Sequence, residues 1–148
     1  MKPDIPVALQ KLAGLLLLEV APAVGVDYLQ RNTGLTAIML QVVAEEFERA
    51  AARRVEENGA LRALFRDAAP VVSDAGLRER LEAAAAGADA DLRVSALEAA
   101  NASLRAILVE LHAHVESLGS PDARRVDDAI WAELRRSTDR RLISLSPF

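Results

Sequence analysis

The chain contains no cysteine. That excludes a disulfide framework, a thiol nucleophile and every thiolate metal site, and it fits a reducing, cytoplasmic setting. Aromatic residues make up only 3% of the sequence, too few for the strands of a β-sandwich, which bury Tyr, Phe and Trp. The 7 glycines are scattered, with none in Gly-x-Gly-x-x-Gly or Walker spacing, so no phosphate-cradling loop is expected. His112 and His114 are the only histidines. No Gly-x-Ser-x-Gly accompanies them, so a Ser-His-acid site lacks its frame. The net charge of −4 gives no overall electrostatic footprint for nucleic acid.

What is present is aliphatic. Hydrophobic residues make up 51% of the chain, mostly Leu, Val, Ile and Ala. Runs such as Ala50-Ala51-Ala52 and Ala83-Ala84-Ala85-Ala86 favour helix on intrinsic propensity. A length of 148 residues supports a core without metal or disulfides. The expectation is an all-α fold: one domain over residues 1–148, a compact bundle of four to five helices, mostly antiparallel.

The strongest periodicity lies between Val94 and Leu118. Val94, Asn101, Leu108 and Val115 alternate with Leu97, Leu104, Leu111 and Leu118 at three- and four-residue steps, one stripe of a helix. Ala100 and Ile107 widen it, which suits burial among neighbours better than a two-stranded seam. No basic region precedes it, so a DNA-gripping zipper is not expected. Ala96, Ala99, Ser103, Ala106 and Ala113 line the far side, where a second helix has room to approach. Asn101 is the polar break in the stripe. It either fixes register against a polar group on a facing helix or sits at the rim of a ligand pocket. For register, Asn101→Leu is expected to stabilise the protein and change its oligomeric state.

Elsewhere, Asp4 reads as an N-cap with Pro6 in the first turn. Leu15, Leu16, Leu17 and Leu18 make the following helix apolar nearly all round, implying burial on several sides or a subunit contact. Ala21-Pro22 stops or kinks it. Thr33, after Asn32 and before Gly34, reads as the cap of a long helix to Ala68, bent if at all at Gly59 and ended by Pro70. On it Glu45, Arg49, Arg53, Arg54, Glu56 and Glu57 read as a solvated side. Ser73-Asp74 caps a shorter helix closed by Gly87 as a left-handed C-cap, and Asp89 or Asp91 starts the next. Gly119, Ser120, Pro121 and Asp122 mark the clearest boundary. The last helix buries Ala123, Val126, Ile130 and Leu134 and frays between Arg141 and the Ser144-Phe148 tail.

Three features invite chemistry. Lys11 and the leucines up to Ala21-Pro22-Ala23 resemble a secretory signal, but Glu19 interrupts the apolar run, and neither cleavage nor a membrane span is expected. His112 and His114 point to opposite sides of a helix. A metal centre would therefore draw on Glu46, Glu110 and His114, but the Glu-x-x-His pairs of helical di-iron proteins are absent, so no metal or other cofactor is expected. Arg135, Arg136, Arg140 and Arg141, with Arg124 and Arg125, offer contacts to an anion. Asp127, Asp128, Glu133 and Asp139 dilute that field, and arginine near a helix C-terminus complements the dipole.

The functional expectation is a non-catalytic interaction or accessory module that self-associates, with Leu15–Leu18 and Asn101 as interaction residues. Its partner is itself or another protein. Two alternatives remain: a small apolar-ligand carrier with a Leu/Val pocket and Arg at its mouth, and a metal-dependent helical enzyme.

Overall fold

Helix follows from the sequence almost everywhere in residues 4–143, the part of the chain that this computed structural model describes. No strand occurs among the described residues, and the fold is an all-α bundle. The chain divides into two compact units, one holding the described residues up to Ala50 together with Ile143, the other Ala51–Leu142. The division falls inside one helix, at a run of alanines that no change of composition marks.

In the first unit, α1 (Ile5–Leu15) is capped by Asp4, whose Oδ1 accepts from the Val7 N–H at 3.2 Å. A π-helical turn, Leu16–Val20, leads into the short α2 (Ala21–Ala23). Pro22 explains it: its ring crowds the carbonyl four residues back and it has no N–H to donate, so the wider i→i+5 pattern relieves the clash. The backbone is extended at Val24, and α3 then runs from Asp27 to Ala68. Asn32-Thr33-Gly34 is not the expected helix start. Thr33 and Thr36 donate their hydroxyls to the Leu29 and Asn32 carbonyls, spending inside the helix the groups that would otherwise cap it. Asn58-Gly59 does not interrupt α3 either.

The second unit comprises the remainder of α3, a 3₁₀ turn at Ala69–Val71, α4 (Ala75–Ala86), α5 (Val94–Leu118) and α6 (Pro121–Asp139). Asp74 caps α4 through the Leu77 N–H at 2.6 Å, and Ser120 caps α6 through that of Ala123 at 3.1 Å. Gly119 ends α5 with φ 61°, the left-handed conformation expected there. Gly87 does not adopt it; φ −70° and ψ 165° lead straight into an extended loop. Nor does Asp89 or Asp91 cap α5. Arg93 occupies that position, since Asp89 is held by Arg62 and Asp91 pairs with Arg93 itself.

The side-chain pairings fix an up-down-up-down order. Arg54 meets Glu98 and Asn58 meets Asn101, so α3 and α5 run parallel. Arg62 meets Asp89 and Arg66 the Ala85 carbonyl, so the chain returns through α4. Arg105 meets Ser137 and His112 lies against Asp127, so α6 is antiparallel to α5. Phe65, Leu81, Leu111 and Ile130 are wholly enclosed at the centre, each contributing about 1.5–3 kcal/mol by leaving water. The expected stripe of α5 is buried from Leu97 to Val115, while Val94 is exposed. The far side is not a second packing face: Ala99, Ser103, Ala106 and Ala113 are exposed.

Candidate functional site

Among the described residues of the first unit, every buried hydrophobic residue is an alanine: Ala13, Ala21, Ala37, Ala44 and Ala50. Leu12, Leu15 and Leu18 are 50%, 44% and 66% exposed; Leu16 and Leu17 are half-buried, Leu17 lying against Gly34. On α3, Leu35, Met39, Val43 and Phe47 recur every four residues and are all exposed. Soluble monomers rarely present so continuous an apolar surface. Lys11 and Glu19 flank the exposed leucines of the first helical segment and are themselves exposed. By length and composition alone, Ile5–Ala23 is also apolar enough to cross a membrane, with a mean hydropathy of 1.5 and 11% of the window buried.

The second unit has its polar groups inside. Glu57, Asn58, Asn101, Glu133 and Ser137 are all buried. Glu57 Oε1 accepts from Ser137 Oγ and Arg141 Nε, each at 3.0 Å. Its Oε2 accepts from Arg141 Nη2 at 3.0 Å, Arg54 Nη1 at 3.1 Å and Asn101 Nδ2 at 3.3 Å. Asn101 also donates to Asn58 Oδ1 at 3.0 Å, and Asn58 donates to Asp89 Oδ1 and the Leu97 carbonyl. One connected network therefore joins α3, α5, α6 and the loop before α5. Burial alone would raise the Glu57 pKa, yet hydrogen bonds from Arg141 and Ser137 and the charges of Arg141 and Arg54 hold it at about 2. Asp89 is likewise lowered, first by the Arg62 hydrogen bond. The carboxylates are held ionised and saturated with donors, an arrangement for holding helices in register, not for moving protons.

This places Asn101 among partners of its own chain, on a facing helix, and at 2% exposure it offers nothing to a second molecule. Of the arginine cluster, Arg136 and Arg140 bond to Glu133 at 3.1 and 2.7 Å and Arg141 to Glu57; Arg135 is exposed. Much of the cluster's charge thus faces carboxylates of the same unit.

The two metal-donor candidates of the second unit, Glu110 and His114, are each engaged elsewhere. Glu110 bonds Arg80 through both oxygens, and His114 Nε2 lies 3.3 Å from the Ser73 N–H. Glu46 belongs to the first unit and is exposed. His112 turns the other way, toward α6, with Glu116 and Asp127 around its Nε2. For an apolar ligand, the hollow bounded by Glu57, Leu61, Arg105, Leu108 and Glu133 measures about 10 Å³, room for one water at most. Two larger hollows open at the surface: one of about 300 Å³ beside Arg66, Pro70 and Glu82 is walled by alanine, and one of about 220 Å³ is lined by Leu64, Val71, Val126 and Arg125, the Leu/Val and Arg lining expected of a ligand pocket.

Glu57, Asn58, Glu133 and Ser137 escape a reading based on apolar periodicity. The signal is nonetheless present: Ala50, Glu57, Leu61, Leu64 and Ala68 keep core spacing on α3, as Val126, Ile130, Glu133 and Ser137 do on α6. A polar residue in a core register, as at Asn101, marks the network. Compared with family models, curated proteins and solved structures, the chain finds no match in any of the three.

Proposed function

We propose that this chain is a non-catalytic association module that pairs with a second copy of itself through the exposed leucine face of its N-terminal unit. The observation that carries this reading is the inversion there, alanines inside and leucines outside. Burying the part of each such leucine that is still exposed is worth about half of the roughly 1.5–3 kcal/mol that a full leucine burial gives. The pattern of charges favours a second copy. In a two-fold antiparallel pairing centred on Leu15, residue i meets residue j and j meets i. Lys11 and Glu19 stand four positions to either side of Leu15, so each faces its opposite charge on the other copy. The π turn places more residues in each turn, which keeps Glu19 nearer the line of Lys11 and Leu15 than an α-helix would.

A lipid bilayer is the competing occupant, favoured by the length and hydropathy of Ile5–Ala23. Against it, Lys11 and Glu19 would lie within the span, and a charged residue at mid-membrane costs about 2.5–3.5 kcal/mol on insertion scales. Sedimentation equilibrium at micromolar concentration tests the reading. The expected mass is twice 15.9 kDa, with the protein absent from the floated fraction when mixed with neutral phospholipid vesicles. A mass near 15.9 kDa at every concentration, or flotation with the vesicles, contradicts it.

A further inference from the structure

We infer that His112, Glu116 and Asp127 form a binding site for a divalent transition-metal ion of zinc's type, clipping α5 to α6. The three ligand atoms lie within 4.8 Å of one another. His112 and Glu116, four residues apart on α5, share a helix face, and Asp127 comes from the antiparallel α6. His112 Nε2 is 2.9 Å from Asp127 Oδ1 and 3.6 Å from Glu116 Oε1. Ligand atoms bound at about 2.0–2.2 Å to one ion stand roughly 3.0–3.5 Å apart, so these separations bracket what a shared ion requires.

A second observation separates this cluster from an ordinary ion pair. His112 Nε2 and Asp127 Oδ1 are both shut off from solvent, and neither makes a hydrogen bond. They face each other at hydrogen-bonding distance without the alignment that an N–H donor needs. Two buried, unsatisfied polar atoms are costly, and an ion between them would satisfy both lone pairs at once. Trp131 meets the His112 ring edge-on, centroids 5.4 Å apart and planes at 84°, bracing the imidazole. Glu116 is exposed and reaches the site with a flexible side chain. One imidazole and two carboxylates, with no thiolate, suit Zn²⁺, Co²⁺ or Ni²⁺. They do not suit Cu(I), which prefers sulfur, or Ca²⁺ and Mg²⁺, which prefer oxygen alone. The inference does not rest on self-association, since it involves only α5 and α6.

The test uses the full chain and its one tryptophan. Titration with CoCl₂, followed by Trp131 fluorescence and visible absorption, is expected to quench the emission and raise d–d bands at one Co²⁺ per chain, with micromolar affinity. ZnCl₂ should displace the cobalt. Asp127→Asn and His112→Gln should each weaken binding at least tenfold with an unchanged helical circular dichroism spectrum, while His114→Gln and Glu110→Gln leave it intact. No saturable binding below millimolar metal, or binding that survives Asp127→Asn, overturns the inference. If both test variants lose helicity, Glu116→Gln at the exposed ligand decides: weakened binding supports the site and unaltered binding overturns it.

Discussion

Glu57 and Arg141, 84 positions apart in the chain, meet through two parallel hydrogen bonds of 3.0 Å, Nε to Oε1 and Nη2 to Oε2. The carboxylate is buried and the guanidinium partly exposed, so the turn that follows α6 closes over α3 as a charged latch. Two-point geometry matters, because an arginine fork fixes orientation as well as distance.

The latch predicts acid sensitivity. Glu57 is held at about 2, below its ordinary 4.5. A depressed carboxylate stabilises the folded state fully above its unfolded pKa, and that stabilisation is lost as pH falls from about 4.5 to about 2. The expected loss is on the order of 3 kcal/mol. Asp89, also lowered, adds a contribution of the same sign. Urea melts between pH 5.5 and 2.5 should show the decline. Glu57→Gln should be less stable at neutral pH and flatter over that range; a variant as acid-sensitive as the parent contradicts the assignment.

Asn101→Leu now has a definite sign. Leucine would strip a donor from Glu57 and leave Asn58 Oδ1 buried without its partner. The variant is expected to lose about 1–3 kcal/mol with no change of oligomeric state, measured by chemical denaturation and sedimentation. The sequence reading of a polar partner on a facing helix matches Asn58 on α3, but its expectation of a more stable, reassociated variant left out the buried acceptors, Glu57 and Asn58, that leucine would strip of a donor. A stabilised variant would mean that the network costs more than it contributes.

Gly59 offers the opposite outcome. It sits in the interior of α3, exposed, with nothing within 4 Å of a Cβ placed on it. Gly59→Ala should raise stability by about 1 kcal/mol. No gain would indicate that the glycine serves a local distortion of the helix.

Much of this bundle is legible in the sequence because its signals are local. Apolar steps from Leu97 to Val115, the Gly119-Ser120-Pro121 boundary and the caps at Asp4 and Asp74 are each decided within a few residues. Glu57 is not, because its burial depends on Arg141 and Ser137 arriving from the far end of the chain. Taken alone, a glutamate beside Arg53 and Arg54 reads as surface. The start of α3 fails differently, since Thr33 satisfies a carbonyl within a helix as readily as it caps one. The leucine run pointed to burial or a subunit contact. What sequence could not settle is that alanines take the interior of the first unit and leave Leu12, Leu15 and Leu18 outside.

Charge reversal at Lys11 and Glu19 tests the proposed self-association most directly, because it probes the pairing and its orientation together. Sedimentation equilibrium would be run on Lys11→Glu, Glu19→Lys and the double variant. Each single reversal sets like charges opposite each other across the two-fold axis and is predicted to weaken the dimer, by about tenfold or more for two rim pairs. The double variant restores opposite charges and is predicted to recover the parental dissociation constant. If the single and double variants all dimerise like the parent, or the double variant is the weakest, the antiparallel pairing about Leu15 is wrong.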